Sequence, residues 1–212
     1  MTRLLVVAEG LTEVNFATQL VKPHLEEQAP GRITVSAPNL KGYRTYARLR
    51  KFVKNLLASP QSGAIVTTMI DLFGIPHDFP GLAETSHEAP AGRVRLLEQY
   101  FTEDVADPRF FAYLQLHEFE ALLLADLTVL VEQHPNRSEE IRELVTRLGE
   151  FASPEGVDGR RPPSRWIKAA IPEYNKTIDG PTAASRIGLL RLRERCPHFG
   201  QWLRRLENLV PA

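Results

Sequence analysis

The chain has 212 residues, 43% of them hydrophobic, and 26 basic side chains balanced by 26 acidic ones. It can bury a real core, its apolar runs fall short of the roughly 18 residues a membrane span needs, and its start lacks the pattern of a secretion signal, so a cytoplasmic location is expected. The single cysteine, Cys196, excludes an intramolecular disulfide and a cysteine-based zinc site, and suits a small buried apolar residue.

Taken in chain order, Arg3 to Ala8 is an apolar run that predicts a strand, and it runs straight into Glu9, Gly10 and Glu13. Thr12 to Gln28 carries Val14, Ala17, Val21 and Leu25 at helical spacing, with Pro23 expected to bend or end that helix. Arg32 to Pro38 is a β-branched run stopped by proline, and Tyr43 to Ser59 predicts a helix with Tyr46, Leu49, Phe52, Val53 and Leu56 on one side. Gly63 to Gly74 gives the strongest strand signal. After a loop dense in Gly, Pro and His, Arg93 to Asp104 predicts a helix, Arg109 to Leu116 a fourth strand, and Glu118 to Asp126 a helix. This order predicts an α/β fold whose parallel-dominated sheet of about four strands is flanked by helices. Leu127 to Ala212 shows helical spacing and proline breaks without a convincing strand. The expected division is an α/β domain over residues 1–125 and a helical region, 126–212, packed on it.

Zero net charge hides a segregation along the chain. No Asp or Glu occurs between Gln28 and Ile70, where Arg32, Lys41, Arg44, Arg48, Arg50, Lys51 and Lys54 give about +7. From Asp71 to Glu132 twelve acids face only Arg93, Arg95 and Arg109, about −9, and from Glu155 onward eleven bases outnumber six acids. Positive flanks around a negative centre suit a polyanion held over bound cations. Lys41, Arg44, Arg48 and Lys51 recur at spacings of three to four, so one helix face is a candidate nucleic-acid surface, with Tyr43 placed to stack on a base. A solvated face or contact with an acidic partner protein is the competing explanation.

Ligands of open α/β sheets sit at the carboxyl ends of the strands, and Glu9, Asp71, Glu118 and Glu120 all fall there. Their repulsion calls for a cation, and an oxygen-only donor set suits Mg²⁺ or Mn²⁺. Glu9 alternatively caps the helix starting near Thr12, and Glu13, in its first turn, is favoured there by the helix dipole. Asp71 inside so apolar a run is harder to dismiss, because a buried carboxylate needs a cation or hydrogen bonds. Glu118 and Glu120 share a face on a strand but lie about 200° apart on a helix, so one of them is expected to reach a metal, and Glu118 is favoured. His117 is a candidate base or supporting donor against an ordinary structural role. His77, His87 and Asp78 lie in a loop placed to cover the site, unless it is a solvated turn.

"VVAEGLTE" followed by "MIDLFGIP" resembles the Toprim domain of topoisomerases, DnaG-type primases and OLD-type nucleases, in which a Glu after the first strand and an Asp-x-Asp after the third hold metal. "EGLTE", "DLFGIPHDFPG", "LQLHEFEALL" and "YNKTIDGPTAASRIGLLRLRERCPHFGQWL" together resemble an uncharacterised bacterial Toprim-like family often encoded beside ABC- or OLD-type ATPases. By this resemblance the fold is Toprim-like and Rossmannoid, Glu9 matches the first acid and Asp71 the first Asp of the pair. Phe73 stands where the second Asp belongs, so either Glu118 or Glu120 supplies the missing carboxylate or the metal site is degenerate. The implied catalytic set is Glu9, Asp71, Glu118 and Lys176, with Glu13 and Glu120 as further candidate ligands. Lys176, in the loop the resemblance marks out, is placed to stabilise phosphate charge, although a surface lysine would look the same. The first expectation is a Mg²⁺- or Mn²⁺-dependent nuclease of DNA or RNA, working in bacterial defence with an ATPase in trans; a homodimer is allowed. The alternative is a degenerate Toprim-like module that binds nucleic acid or the ATPase without cleavage.

Overall fold

Thr2 to Ala8 form β1, with Leu4 and Val6 buried on one face and Val7 on the other, the two-residue repeat of a strand covered on both sides. The computed structural model describes residues 1–59, 63–149, 153–157 and 162–210. β2 (Ile33–Ser36) and β3 (Ile65–Asp71) flank β1, both parallel to it. β4 (Phe110–Phe111) and β5 (Leu114–Gln115) pair with β3, also in parallel, giving the order β2, β1, β3, β4 with β5 beside the carboxyl end of β3. The α/β architecture with a parallel sheet flanked by helices and an extensive C-terminal helical region is thus the one expected.

Several local expectations are corrected. The single fourth strand over Arg109 to Leu116 is split in two, because Thr68 of β3 inserts its hydroxyl where the ladder would continue: Oγ1 donates to the Tyr113 carbonyl at 2.8 Å and accepts from the Tyr113 amide at 2.9 Å. Of the two effects expected of Pro23, a bend or an end, the end does not occur. α1 (Leu11–Phe16) passes into a π-helical turn, Ala17–Val21, and on into α2 (Lys22–Gln28), the widened turn just before Pro23 accommodating its ring and missing N–H. The helix expected from Tyr43 begins later, as α3 (Tyr46–Ala58): Thr45 accepts from the Arg48 amide at 3.4 Å, and the Asp78 carboxylate accepts from the Tyr46 amide at 2.9 and 3.1 Å. Asp78 therefore holds a helix end, while His77 and His87 are exposed, His87 paired with Glu88 at 3.3 Å.

α4 (Pro90–Val105) covers the same face as α3. α5 (Glu120–Leu123) is shorter than expected, and Asp126 turns the chain by accepting from the Thr128 amide at 3.0 Å. Then come α6 (Val129–Gln133), α7 (Ser138–Leu148), α8 (Pro163–Ala170), α9 (Lys176–Arg195), kinked at Gly188 with φ 79°, and α10 (Pro197–Glu207). Among the described residues no helix is long and apolar enough to cross a membrane.

Two apolar cores sandwich the sheet. One joins Leu4, Val6 and Met69 to Phe16, Phe119, Phe199 and Trp202, so α1, α5 and α10 share it; Trp202 also donates to Thr67 Oγ1 at 3.1 Å. The other packs Tyr46, Phe79, Phe101 and Phe110 edge to face beneath α3 and α4. Pro181 interrupts α9 near its start and deprives the Thr177 carbonyl of its helical donor; Asn15 Nδ2 of α1 takes that carbonyl at 2.9 Å. This bond fixes the first turn of α9, and with it Lys176, against α1.

Candidate functional site

Because β1, β3 and β5 run parallel, their carboxyl ends share one edge, and the turns after them bring Glu9, Asp71, Glu118 and Glu120 to it. Asp71 closes β3 on the side of Thr67 and Met69, the face that the C-terminal helices cover. There Lys176, the first residue of α9, places Nζ 3.4 Å from Asp71 Oδ2 and 3.2 Å from Glu120 Oε2. A cation in the first turn of a helix has the wrong sign for the helix dipole, so the two carboxylates account for its position. The cap itself is made by neighbours: Asn175 Oδ1 accepts from the Thr177 amide at 3.1 Å, and Asp179 reaches back to the Asn175 amide at 2.7 Å.

The other acids are spent on backbone amides. Glu9 Oε2 accepts from the Asp71 amide at 3.1 Å, tying the ends of β1 and β3 together. Glu13, not Glu9, serves the start of α1, accepting from the Gly10 amide at 2.9 Å. Glu118 Oε2 accepts from the Ser164 amide at 3.1 Å, in the first turn of α8. Of the two candidates after β5, it is Glu120, wholly buried, that shares Lys176 with Asp71. The His117 ring faces the Glu155 carbonyl at 3.2 Å, while its own carbonyl accepts from the Phe73 amide at 2.7 Å.

Burial pushes the Asp71 carboxyl well above the usual carboxylate range; Lys176 opposes this, and Glu13, Glu9 and Glu120 reinforce it. Burial likewise raises Glu120, again opposed by Lys176. Burial works to lower the Lys176 ammonium, but Asp71 and Glu120 overcome it and hold the proton more tightly than usual. Tyr43, expected to stack outward, instead buries its hydroxyl, and burial followed by the charges of Glu9 and Asp71 raises its pKa. Tyr43 lies in the loop before α3 and not in the helix expected to start there.

Lys41 and Arg44 lie in the loop before α3 rather than on its face, and Arg48 and Lys51 on the helix, all four exposed. The Arg48 guanidinium donates to the Leu40 carbonyl at 3.2 Å. The loop is fastened to the site: the Leu40 amide donates to the Ala8 carbonyl and the Gly42 amide to the Glu9 carbonyl, both at 2.9 Å. Lys41 has φ 57° and His117 φ 66°, left-handed backbone that costs a side-chain-bearing residue about 1 kcal/mol. Both strained residues adjoin the acid cluster.

A divalent ion does not fit the donor set as arranged. Three acids hold backbone amides, the remaining two share Lys176, and among the described residues no three His, Cys, Asp or Glu side chains converge as ligands would.

Burial, opposed by the Asp71 amide and reinforced by Glu13, raises Glu9 from 4.5 to about 7. A raised carboxyl contributes stability that is complete below the unfolded value and lost as pH rises through the folded one. Melting temperature should therefore fall between pH 4.5 and about 7, and Glu9→Gln, which keeps an acceptor for the Asp71 amide, should flatten that fall. Parallel melting curves for the two proteins across that range would show that Glu9 does not titrate there.

No curated protein matches the chain. Among solved structures it is similar to the C-terminal region of the Burkholderia pseudomallei OLD protein, at 15% identity over 100% of both chains with a TM-score of 0.48. The C-terminal region of the Xanthomonas campestris pv. campestris OLD protein is similar at 15% identity over 96% of this chain and 94% of that one, with a TM-score of 0.46. A family model described as "Domain of unknown function (DUF4276)" matches residues 8–207, a span that holds every acid of the cluster and the helix carrying Lys176. With nearly all of the chain inside that match, the protein belongs to the DUF4276 family.

Proposed function

We propose that this chain is a Toprim-like module that grips nucleic acid through its basic segment and does not cleave it in the arrangement described. The observation that carries this reading is the Lys176 ammonium between Asp71 and Glu120, at 3.4 and 3.2 Å, in the role a cation would take among such carboxylates. The acid-free stretch from Gln28 to Ile70, with Lys41, Arg44, Arg48 and Lys51 exposed, supplies the attraction for phosphates. Burial-raised acids and Lys176 temper the negative charge beside it, so a polyanion can approach. The resemblance to chains encoded beside ATPases makes an ATPase in trans the partner that such a module would serve, in the cytoplasm.

The metal-dependent nuclease is the second reading. It is favoured by Asp71 Oδ1 and Glu120 Oε1, buried oxygens without a hydrogen-bond partner, which Mg²⁺ or Mn²⁺ would satisfy once Lys176 withdrew. The deciding experiment incubates the chain, alone and with its neighbouring ATPase, with plasmid, single-stranded DNA and RNA in Mg²⁺ or Mn²⁺. Binding that weakens with salt and an absence of cleavage are expected. Metal-dependent cleavage that Asp71→Asn abolishes would overturn the module in favour of the nuclease.

A further inference from the structure

Seven large apolar residues stand exposed among the described residues, and three of them, Leu11, Phe73 and Ile178, lie within two positions of Glu9, Glu13, Asp71 or Lys176. Phe73 is the aromatic one, 53% exposed. Its backbone is fixed: the Leu72 amide donates to the Gln115 carbonyl at 2.8 Å and the Phe73 amide to the His117 carbonyl at 2.7 Å, and Gly74, with φ 88°, then turns the chain away. The carbonyl that seats Phe73 belongs to strained His117, so a backbone conformation that other residues avoid is maintained here. On the other side of Glu9, the same fastening that holds Gly42 fixes Lys41, also strained and exposed, and Arg44 follows in the same loop.

We infer that Phe73 is a stacking platform for an unpaired base of a single-stranded nucleic acid whose phosphates run over Lys41 and Arg44. The chemistry is that of single-strand grooves, where cations track the backbone and an aromatic face takes a base that a duplex would keep stacked inside. The two parts are neighbours through one residue: Glu9 accepts the Asp71 amide with its side chain and the Gly42 amide with its carbonyl, two positions from Phe73 and one from Lys41. A platform whose backbone is already held loses less freedom on binding than one on a mobile loop. This rests on the reading that the chain binds nucleic acid, and it adds the strand state and the residue that reads it.

The test measures affinity for a labelled single-stranded oligonucleotide, in deoxy and ribo forms, and for the duplex of the same sequence. Phe73→Ala should weaken single-strand binding about tenfold or more and leave duplex binding unchanged, as expected for one lost base stack. Phe73→Trp should restore it. The combined Lys41→Gln and Arg44→Gln variant should weaken both forms and flatten the salt dependence. An exposed side chain predicts unchanged melting temperatures for the Phe73 variants. Unaltered single-strand affinity in Phe73→Ala overturns the platform and leaves nucleic-acid binding standing. If the wild type binds neither form, the nucleic-acid reading falls, and the platform with it.

Discussion

Replacing Lys176 with methionine is expected to cost about 3 kcal/mol of folding stability at about pH 8 and far less at about pH 5. Methionine keeps the length of the stem but removes the charge facing Asp71 and Glu120, both buried. Breaking a buried pair from one side costs about 3–5 kcal/mol, and the low end applies because the Lys176 side chain is 39% exposed. The pH dependence follows from the acids left behind. Their folded pKa values already lie above the usual range because of burial, and losing Lys176 raises them further. Groups raised on folding give stability that is full below the unfolded value, near 4, and lost as pH climbs through the folded one. Acidic solution therefore masks the substitution. Mn²⁺ should stabilise the variant and not the wild type, since two buried acids without a counter-charge now welcome it. Urea titrations at both pH values decide the matter, and an equal cost at each would remove Lys176 as their counter-charge.

Phe119→Ala should lower stability by about 3–5 kcal/mol, the ordinary penalty for emptying a buried phenylalanine site. The ring is fully buried, meets Phe16 edge to face at 5.4 Å, and through Phe16 connects to Phe199 at 5.9 Å. α9 comes so close that a methyl group added at Gly180 would lie 3.1 Å from the Phe119 ring. The cavity left by alanine is thus walled by two separate helices, α1 and α9, that are not free to collapse into it together. For a chain of this size the melting temperature should drop by about 10 °C or more. Phe119→Leu should recover most of the loss. A drop of only a degree or two for alanine would mean that α1 and α9 do not meet at this ring.

The strands were legible where burial on both faces leaves a continuous apolar run, as in Ile65 to Asp71, and less so where a side chain replaces the ladder, as Thr68 does beside Tyr113. Periodicity carries no sign that a hydroxyl will interrupt pairing with the adjacent strand. The basic residues are plain in the composition, but the single helix face expected of them is not formed, because Asp78 fixes the start of α3 from 32 positions away and leaves Lys41 and Arg44 in the loop. At the site, the convergence of acids followed from parallel strands, while the identity of each partner depended on contacts that spacing cannot reveal. Only one of Glu118 and Glu120 is expected to reach a metal once the helix begins, and Glu118 is the one favoured. The helix starts at Glu120, and Glu118 spends its carboxylate on Ser164. Lys176 was singled out by resemblance alone, and nothing in its local sequence says that it faces residues 71 and 120.

Asn15 holding the Thr177 carbonyl joins positions 162 apart in the chain, and His24 with Glu207 joins positions 183 apart. For a ribosome this is an ordering problem. When Phe16, Leu20 and Phe119 have emerged, the helices that will cover them have yet to be made, so the nascent chain presents a wet apolar face while translation proceeds through the following residues. Loop closures of such length are slow steps for any chain. Synthesis that stalls before α9 leaves a product with an uncovered sheet face, a substrate for chaperones or proteases rather than a smaller working protein. Quality control thereby coincides with site assembly, because the same late helix that seals the core delivers Lys176 to Asp71 and Glu120.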